Sequence, residues 1–205
     1  MGNKMITHCL IFVRHAHADW IPNENRPLST RGAQDATHVA EILSNISIQR
    51  VFSSPYRRAY QTVEPLSELK NLDITIDERL RERDLGSWEA KSFQDAVHRT
   101  WDDFDFSFRD GETNHDTQAR GIAAVQQIIT GGYNGPIVIS THGNLLALIL
   151  NYFHPHVDYT FWRALTMPDI YQLVWTQENQ VERKRLWKPA VNSEDSKKTA
   201  MRNIV

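Results

Sequence analysis

Apolar and polar positions along the chain follow two spacings. Short apolar runs of strand length are separated by longer segments with helical spacing, the pattern of a layered α/β fold. "CLIFV", Cys9–Val13, is apolar without a break, as expected of a strand covered on both faces. "LSTRGAQDATHVAEIL" comes next, with Ala36, Val39, Ala40 and Leu43 on one helical stripe and Ser29 or Thr30 in capping position. "RVFSS", Arg50–Ser54, predicts a second strand closed by Pro55, and "RRAYQTVEPLSEL" predicts the helix after it. "DITID", Asp73–Asp77, is a short third strand. In "GPIVISTHGN", Gly135–Asn144, an apolar run at Ile137–Ile139 ends at Ser140 and Thr141, and "LLALIL" then starts a strongly apolar helix. "IYQLVW", Ile170–Trp175, and "VERKRLW", Val181–Trp187, predict a hairpin across "TQENQ".

The expected architecture is therefore a three-layer α/β/α sandwich with a mostly parallel central sheet. One stretch breaks the pattern. From about Glu89 to His115 the chain mixes aromatic and acidic residues with no strand spacing, which predicts a small helical insertion folded over one end of the sheet. The organisation expected is one domain over residues 1–188, with a cap insertion near 89–115, and a polar tail over 189–205.

Composition narrows the function classes. The chain has 205 residues, 40% hydrophobic and 23% charged, enough to bury a core without staples. A net charge of -2 gives no global basic field for nucleic acid or a membrane surface, so any anion site must be local. The single cysteine, Cys9, excludes an intramolecular disulfide and fits a reducing cytoplasm. Met1–Thr7 lacks the apolar core of a signal peptide, no apolar run reaches the length of a membrane span, and no lipidation signal is evident. The expected partner is a small molecule in the cytoplasm; oligomeric state is not legible.

Chemistry-bearing residues fall where an open α/β sheet binds ligands, beyond the carboxyl ends of strands. Arg14 and His15 come after the first strand; Ser53, Ser54 and the pair Arg57 and Arg58 come after the second. "LRERDLGSWE" brings Glu82 shortly after the third, and Thr141, His142, Gly143 and Asn144 come after the fourth. Two guanidiniums can clamp a phosphoryl group. A helix starting at Gly143 aims free backbone N–H groups at an anion. A histidine can act as nucleophile, and a carboxylic acid can protonate a leaving alkoxide. The set converges on phosphoryl transfer with no metal and no cofactor.

The same motifs resemble the histidine phosphatase superfamily, which includes cofactor-dependent phosphoglycerate mutases and many phosphatases. "RHA", Arg14–Ala16, matches its signature after the first strand, and "SSPYRRAYQT", Ser53–Thr62, is similar to its second element, which singles out Arg58 over Arg57. "LRERDLGSWE" resembles its L-x-E-x-x-x-G stretch and assigns the acid to Glu82. "DGET", Asp110–Thr113, and "STHGN", Ser140–Asn144, complete the set in family order. The resemblance implies a phosphomonoester hydrolase acting on a small phosphorylated metabolite. His15 would become phosphohistidine, while Arg14, Arg58 and His142 hold the phosphoryl oxygens. Glu82 would serve as acid and then base, with Gly143 and Asn144 completing the phosphate pocket. Glu112 is the rival acid, or a residue that caps and orients.

Three other readings compete. A mutase shares the phosphohistidine residues; the short insertion and tail favour the phosphatase, and His17 and Asp19 stand where mutases contact a sugar acid, as a rim that shapes substrate choice. His15-x-His17-x-Asp19 also nearly reproduces a metal-dependent hydrolase motif. Against it, Trp20 replaces the final histidine, Arg14 sets a permanent positive charge beside the proposed metal, and the distant motifs stay unexplained. A non-catalytic phospho-ligand binder would need a lost motif residue, and none is missing. Arg99 and Arg109 are candidates for a second charged group on the substrate.

Overall fold

A computed structural model describes residues 6–21, 25–176 and 180–189. The polar tail and the tip of the hairpin lie outside the described residues. Strands are β1 Ile6–Arg14, β2 Arg50–Ser53, β3 Ile74–Ile76, β4 Ile137–Thr141, β5 Asp169–Thr176 and β6 Val181–Arg185. Helices are α1 Thr30–Leu43, α2 Arg57–Lys70, α3 Phe93–Asp102, α4 Asn114–Thr130, α5 Gly143–Phe153 and α6 Tyr159–Ala164.

The six strands form one mixed sheet in the order β3-β2-β4-β1-β5-β6. The first four in that order run parallel, and the β5–β6 hairpin adds on antiparallel to β1. Successive side chains of a strand face opposite ways. On β1, Leu10 and Phe12 accordingly join one apolar cluster with α4 and α5, while Ile11 and Val13 join another with α1 and α2. β4 divides likewise, Ile137 and Ile139 on one side and Val138 on the other. An uninterrupted apolar run is therefore two half-patterns feeding two helical layers.

The flanking helices carry their own start signals. Ser29, rather than Thr30, caps α1, its hydroxyl accepting from Gly32 N. Gly32 also marks a close approach, since a Cβ there would lie 1.9 Å from the carbonyl oxygen of His17. α5 is apolar on all sides because it is packed between the sheet and its neighbours; every residue from Gly143 to Leu150 is buried. α3 lies within the irregular stretch after Glu89, and Tyr159 Oη donates to Gln94 O at 3.2 Å to join it to α6. The sequence pattern did not single out α4 or α6. Among the described residues no helix is long and apolar enough to cross a membrane.

Candidate active site

Three parallel strands end level with one another. Arg14 pairs with Thr141, and Ser53 with Ser140. The pairing continues one residue further, His15 N donating to Thr141 O at 2.9 Å and Ser54 N to Ser140 O at 3.0 Å. His15, Ser54 and His142 are thereby set side by side beyond the sheet, with Arg58 on the first turn of α2.

His15 is buried, and its tautomer is fixed from both sides. Its Nδ1 lies 2.7 Å from Ala16 O, an acceptor only, so Nδ1 carries the proton. Arg58 Nε, a donor only, lies 3.3 Å from Nε2, so Nε2 presents its lone pair. The His142 ring stands edge-on at 5.1 Å, its Nε2 2.7 Å from Ser54 Oγ. Arg58 is buried, its guanidinium 4.8 Å from the centre of the Tyr56 ring. Arg57, next to it, is exposed.

Arg14 is aimed by backbone. Its Nη1 donates to Leu165 O at 2.9 Å and Thr166 O at 3.3 Å. That loop is held in turn by Asp169, a fully buried carboxylate that accepts from Thr166 N, Ile170 N and both Nε and Nη2 of Arg185. Gly143 makes room for the same guanidinium, since a Cβ there would stand 3.1 Å from it.

Glu82 sits across the first turn of α5. Its Oε2 accepts from Asn144 N and its Oε1 from Leu145 N, each at 3.1 Å, and Oε1 also accepts from Arg83 N at 2.9 Å. A carboxylate suits the positive end of a helix. The N–H groups expected to face a substrate anion at Asn144 are therefore engaged by Glu82 instead. Arg120 fixes the loop beneath, donating to the carbonyls of Arg79, Arg81 and Glu82. Glu112 pairs with both Arg120 and Arg81 at 2.7 Å and accepts from Asp84 N, so it braces the loop while Thr113 caps α4. Arg83, buried, joins this loop to Thr100 of α3 and Asn114 of α4, and burial pushes its guanidinium down to about 10.

His17 and Asp19 do not converge on His15. Both are exposed; His17 Nδ1 lies 2.9 Å from Ser29 Oγ, and Asp19 N donates to Pro27 O. Among the described residues no group of three His, Cys, Asp or Glu could hold a metal ion. Arg99 lies over the Phe106 ring and Arg109 is an exposed partner of Asp110. Asp169, Arg185 and Arg120 were not identified from sequence. The acid opening the strand after "MP" was the one local hint; Arg120 acts on backbone carbonyls, which leave no mark in a sequence, and Arg185 takes its role from Asp169 across the hairpin.

Burial holds both imidazoles well below the ordinary histidine range. Arg14 and Arg58 add to this at His15, and His15 and Arg58 add to it at His142. The folded protein thus keeps them neutral where the unfolded chain takes up protons, as pH falls through about 6.5. Their contribution is fully present above that pH and declines below it, by up to about 1.4 kcal/mol per pH unit for each ring. Half-buried His38, raised by its bond to Glu41, acts in the opposite sense. Urea unfolding from about pH 7.5 to 5.5 is expected to show a falling midpoint at constant slope. A flat profile would mean that the rings are already charged in the folded protein.

Known proteins share this arrangement of sheet and motifs. Residues 10–187 match the family described as "Histidine phosphatase superfamily (branch 1)". Phosphoserine phosphatase 1 of Hydrogenobacter thermophilus is 27% identical over 147 residues, 65% of this chain and 70% of the relative. Glucosyl-3-phosphoglycerate phosphatase of Mycobacterium tuberculosis is 30% identical over 161 residues, 68% and 72% of the two chains. A mycobacterial glucosyl-3-phosphoglycerate phosphatase solved with inorganic phosphate is 25% identical, with a TM-score of 0.69 over 87% of this chain and 95% of that one.

Proposed function

Since the chain belongs to the histidine phosphatase superfamily, we propose that it hydrolyses small phosphate monoesters through a phosphohistidine formed on His15. The observation that carries this is the fixed tautomer of His15, a buried neutral imidazole whose Nε2 lone pair is held beside the Arg58 guanidinium. In the first step Nε2 attacks phosphorus and the ester P–O bond breaks. Glu82 gives its proton to the departing alkoxide, and Arg14, Arg58 and His142 balance the charge shifting among the phosphoryl oxygens. In the second step Glu82, now a carboxylate, takes a proton from water. That water attacks phosphorus, the P–N bond breaks, and inorganic phosphate leaves.

Gly143 contributes by admitting the Arg14 guanidinium, and Asn144 by fixing Glu82. His17 and Asp19 form the rim. Residues 1–188 act as one domain with 89–115 as its cap, a reading supported by the tie from Arg83 to Thr100. The substrates proposed are small phosphorylated metabolites of the kind its relatives' names carry, such as phosphoserine or a phosphoglycerate.

A panel of phosphate monoesters, assayed in EDTA, tests the reading. Turnover is expected to persist at its full rate and release inorganic phosphate. Loss of turnover on chelation would return the chemistry to a metal, transfer to a second hydroxyl compound would make the protein a mutase, and no turnover on any ester would leave a binder.

A further inference from the structure

The ring of His142 has one hydrogen-bond partner among the described residues. Its Nε2 lies 2.7 Å from Ser54 Oγ, while its Nδ1 is buried with no partner. Both side chains are fully buried. The groups around them are fixed. Ser54 N donates to Ser140 O at 3.0 Å, and Ser53 Oγ donates to Ser54 O at 2.9 Å. The rings of His15 and Tyr56 each stand 5.1 Å from that of His142, at 61° and 65° to it.

The hydroxyl proton of Ser54 decides which way the 2.7 Å bond runs. Tyr56 N, a donor only, lies 3.2 Å from Ser54 Oγ, so that contact occupies a lone pair of the oxygen. The hydroxyl has one proton to give, and among the described residues Nε2 of His142 is the acceptor within reach. Were Nε2 to donate instead, a buried O–H would be left unpaired, which is unfavourable. The bond therefore runs from Ser54 to His142, and the imidazole proton sits on Nδ1. His15 also carries its proton on Nδ1, where Ala16 O accepts it. Among the described residues nothing accepts that of His142. A buried N–H without an acceptor is costly, and a phosphoryl group on His15 would bring one.

We propose that Ser54 is a positioning residue: its hydroxyl donates to Nε2 of His142 and so keeps the proton on Nδ1, which then donates to a phosphoryl oxygen as charge builds there. The inference rests on the phosphohydrolase reading above, which gives His142 a phosphoryl oxygen to hold. With the opposite tautomer the ring would offer that oxygen a lone pair and repel the charge it is there to balance. Ser54 excludes this tautomer without touching substrate.

The tautomer can be read without turnover. Long-range proton–nitrogen correlation spectra of protein labelled in its histidine nitrogens, assigned with His142→Ala, should show His142 protonated at Nδ1 and bare at Nε2. In Ser54→Ala that single form should give way to a mixture or to the form protonated at Nε2. A proton on Nε2 in the unsubstituted protein, or an unchanged tautomer in Ser54→Ala, overturns the proposal. Kinetics supply the second arm. Ser54→Ala should lower kcat/KM on a phosphate monoester about 10- to 100-fold. In a His142→Ala background the same substitution should change it less than about twofold, because residues that act as a unit do not add. Equal losses in both backgrounds would make Ser54 an independent contact or a packing residue and overturn the proposal, as would no loss in Ser54→Ala alone. If the spectra show the proton on Nδ1 and no ester is turned over, the phosphohydrolase reading fails while the control of His142 by Ser54 stands. Matching melting curves establish that the variants are folded.

Discussion

Replacing His15 by alanine is expected to lower kcat by at least about four orders of magnitude and to abolish any covalent phosphoenzyme. The size of the effect reflects the atom removed. Nε2 is the atom that would form the P–N bond; Arg14 and Arg58 have no lone pair to offer, and the Nε2 of His142 is held by Ser54. What remains is a competent anion pocket, so phosphate should still bind with an affinity near that of the unsubstituted protein. The substitution removes two bonds, Nδ1 to Ala16 O and Arg58 Nε to Nε2, so it should cost about 1–3 kcal/mol of stability and leave the fold intact. Rapid-quench labelling with a radioactive ester separates the outcomes. The unsubstituted enzyme should carry a label that is lost in acid and kept in base, as a phosphoramidate bond requires. Turnover in His15→Ala within tenfold of normal would end the phosphohistidine mechanism.

Glu82→Gln should reduce kcat by about 10²- to 10⁴-fold on an alkyl phosphate, with a much smaller loss on p-nitrophenyl phosphate. The contrast between the two esters isolates the proton. An alkoxide leaves poorly without one, whereas p-nitrophenolate is stable enough to leave unaided. A glutamine keeps the shape of the side chain and has no proton to transfer. It also has only one acceptor oxygen, where Glu82 receives Asn144, Leu145 and Arg83 with two. Some loss from disturbed geometry is therefore expected on both esters, and the difference between them reports the proton. Equal losses would make Glu82 a structural clasp on α5 and move the acid elsewhere, Glu112 being the next carboxylate braced in that loop.

The legible and illegible parts of this site divide along physical lines. β1 and β4 could be read because burial on both faces leaves an unbroken apolar run, and the residues at their ends could be read because ligands gather there. Arg58 was distinguishable from Arg57 only through a family motif, although the helix itself makes the choice by turning one inward and the other out. The partners of Arg14 lie about 150 positions away, on the antiparallel side of β1, and are carbonyl groups that any residue would supply. The start of α5 was expected to hold a substrate anion. The anion found there belongs to the chain, and identifying it needed the contact between residues 82 and 144.

Anchoring the acid on α5 has a consequence for how the site can move. The amides that grip Glu82 belong to the most deeply buried helix of the described fold. Such a helix opens to solvent only when the whole domain does, so its protection from hydrogen exchange tracks the global unfolding free energy. Acid, second histidine and core thus share one opening event. Fluctuations that admit substrate must be confined to the rim and the cap, and the catalytic groups themselves wait in place.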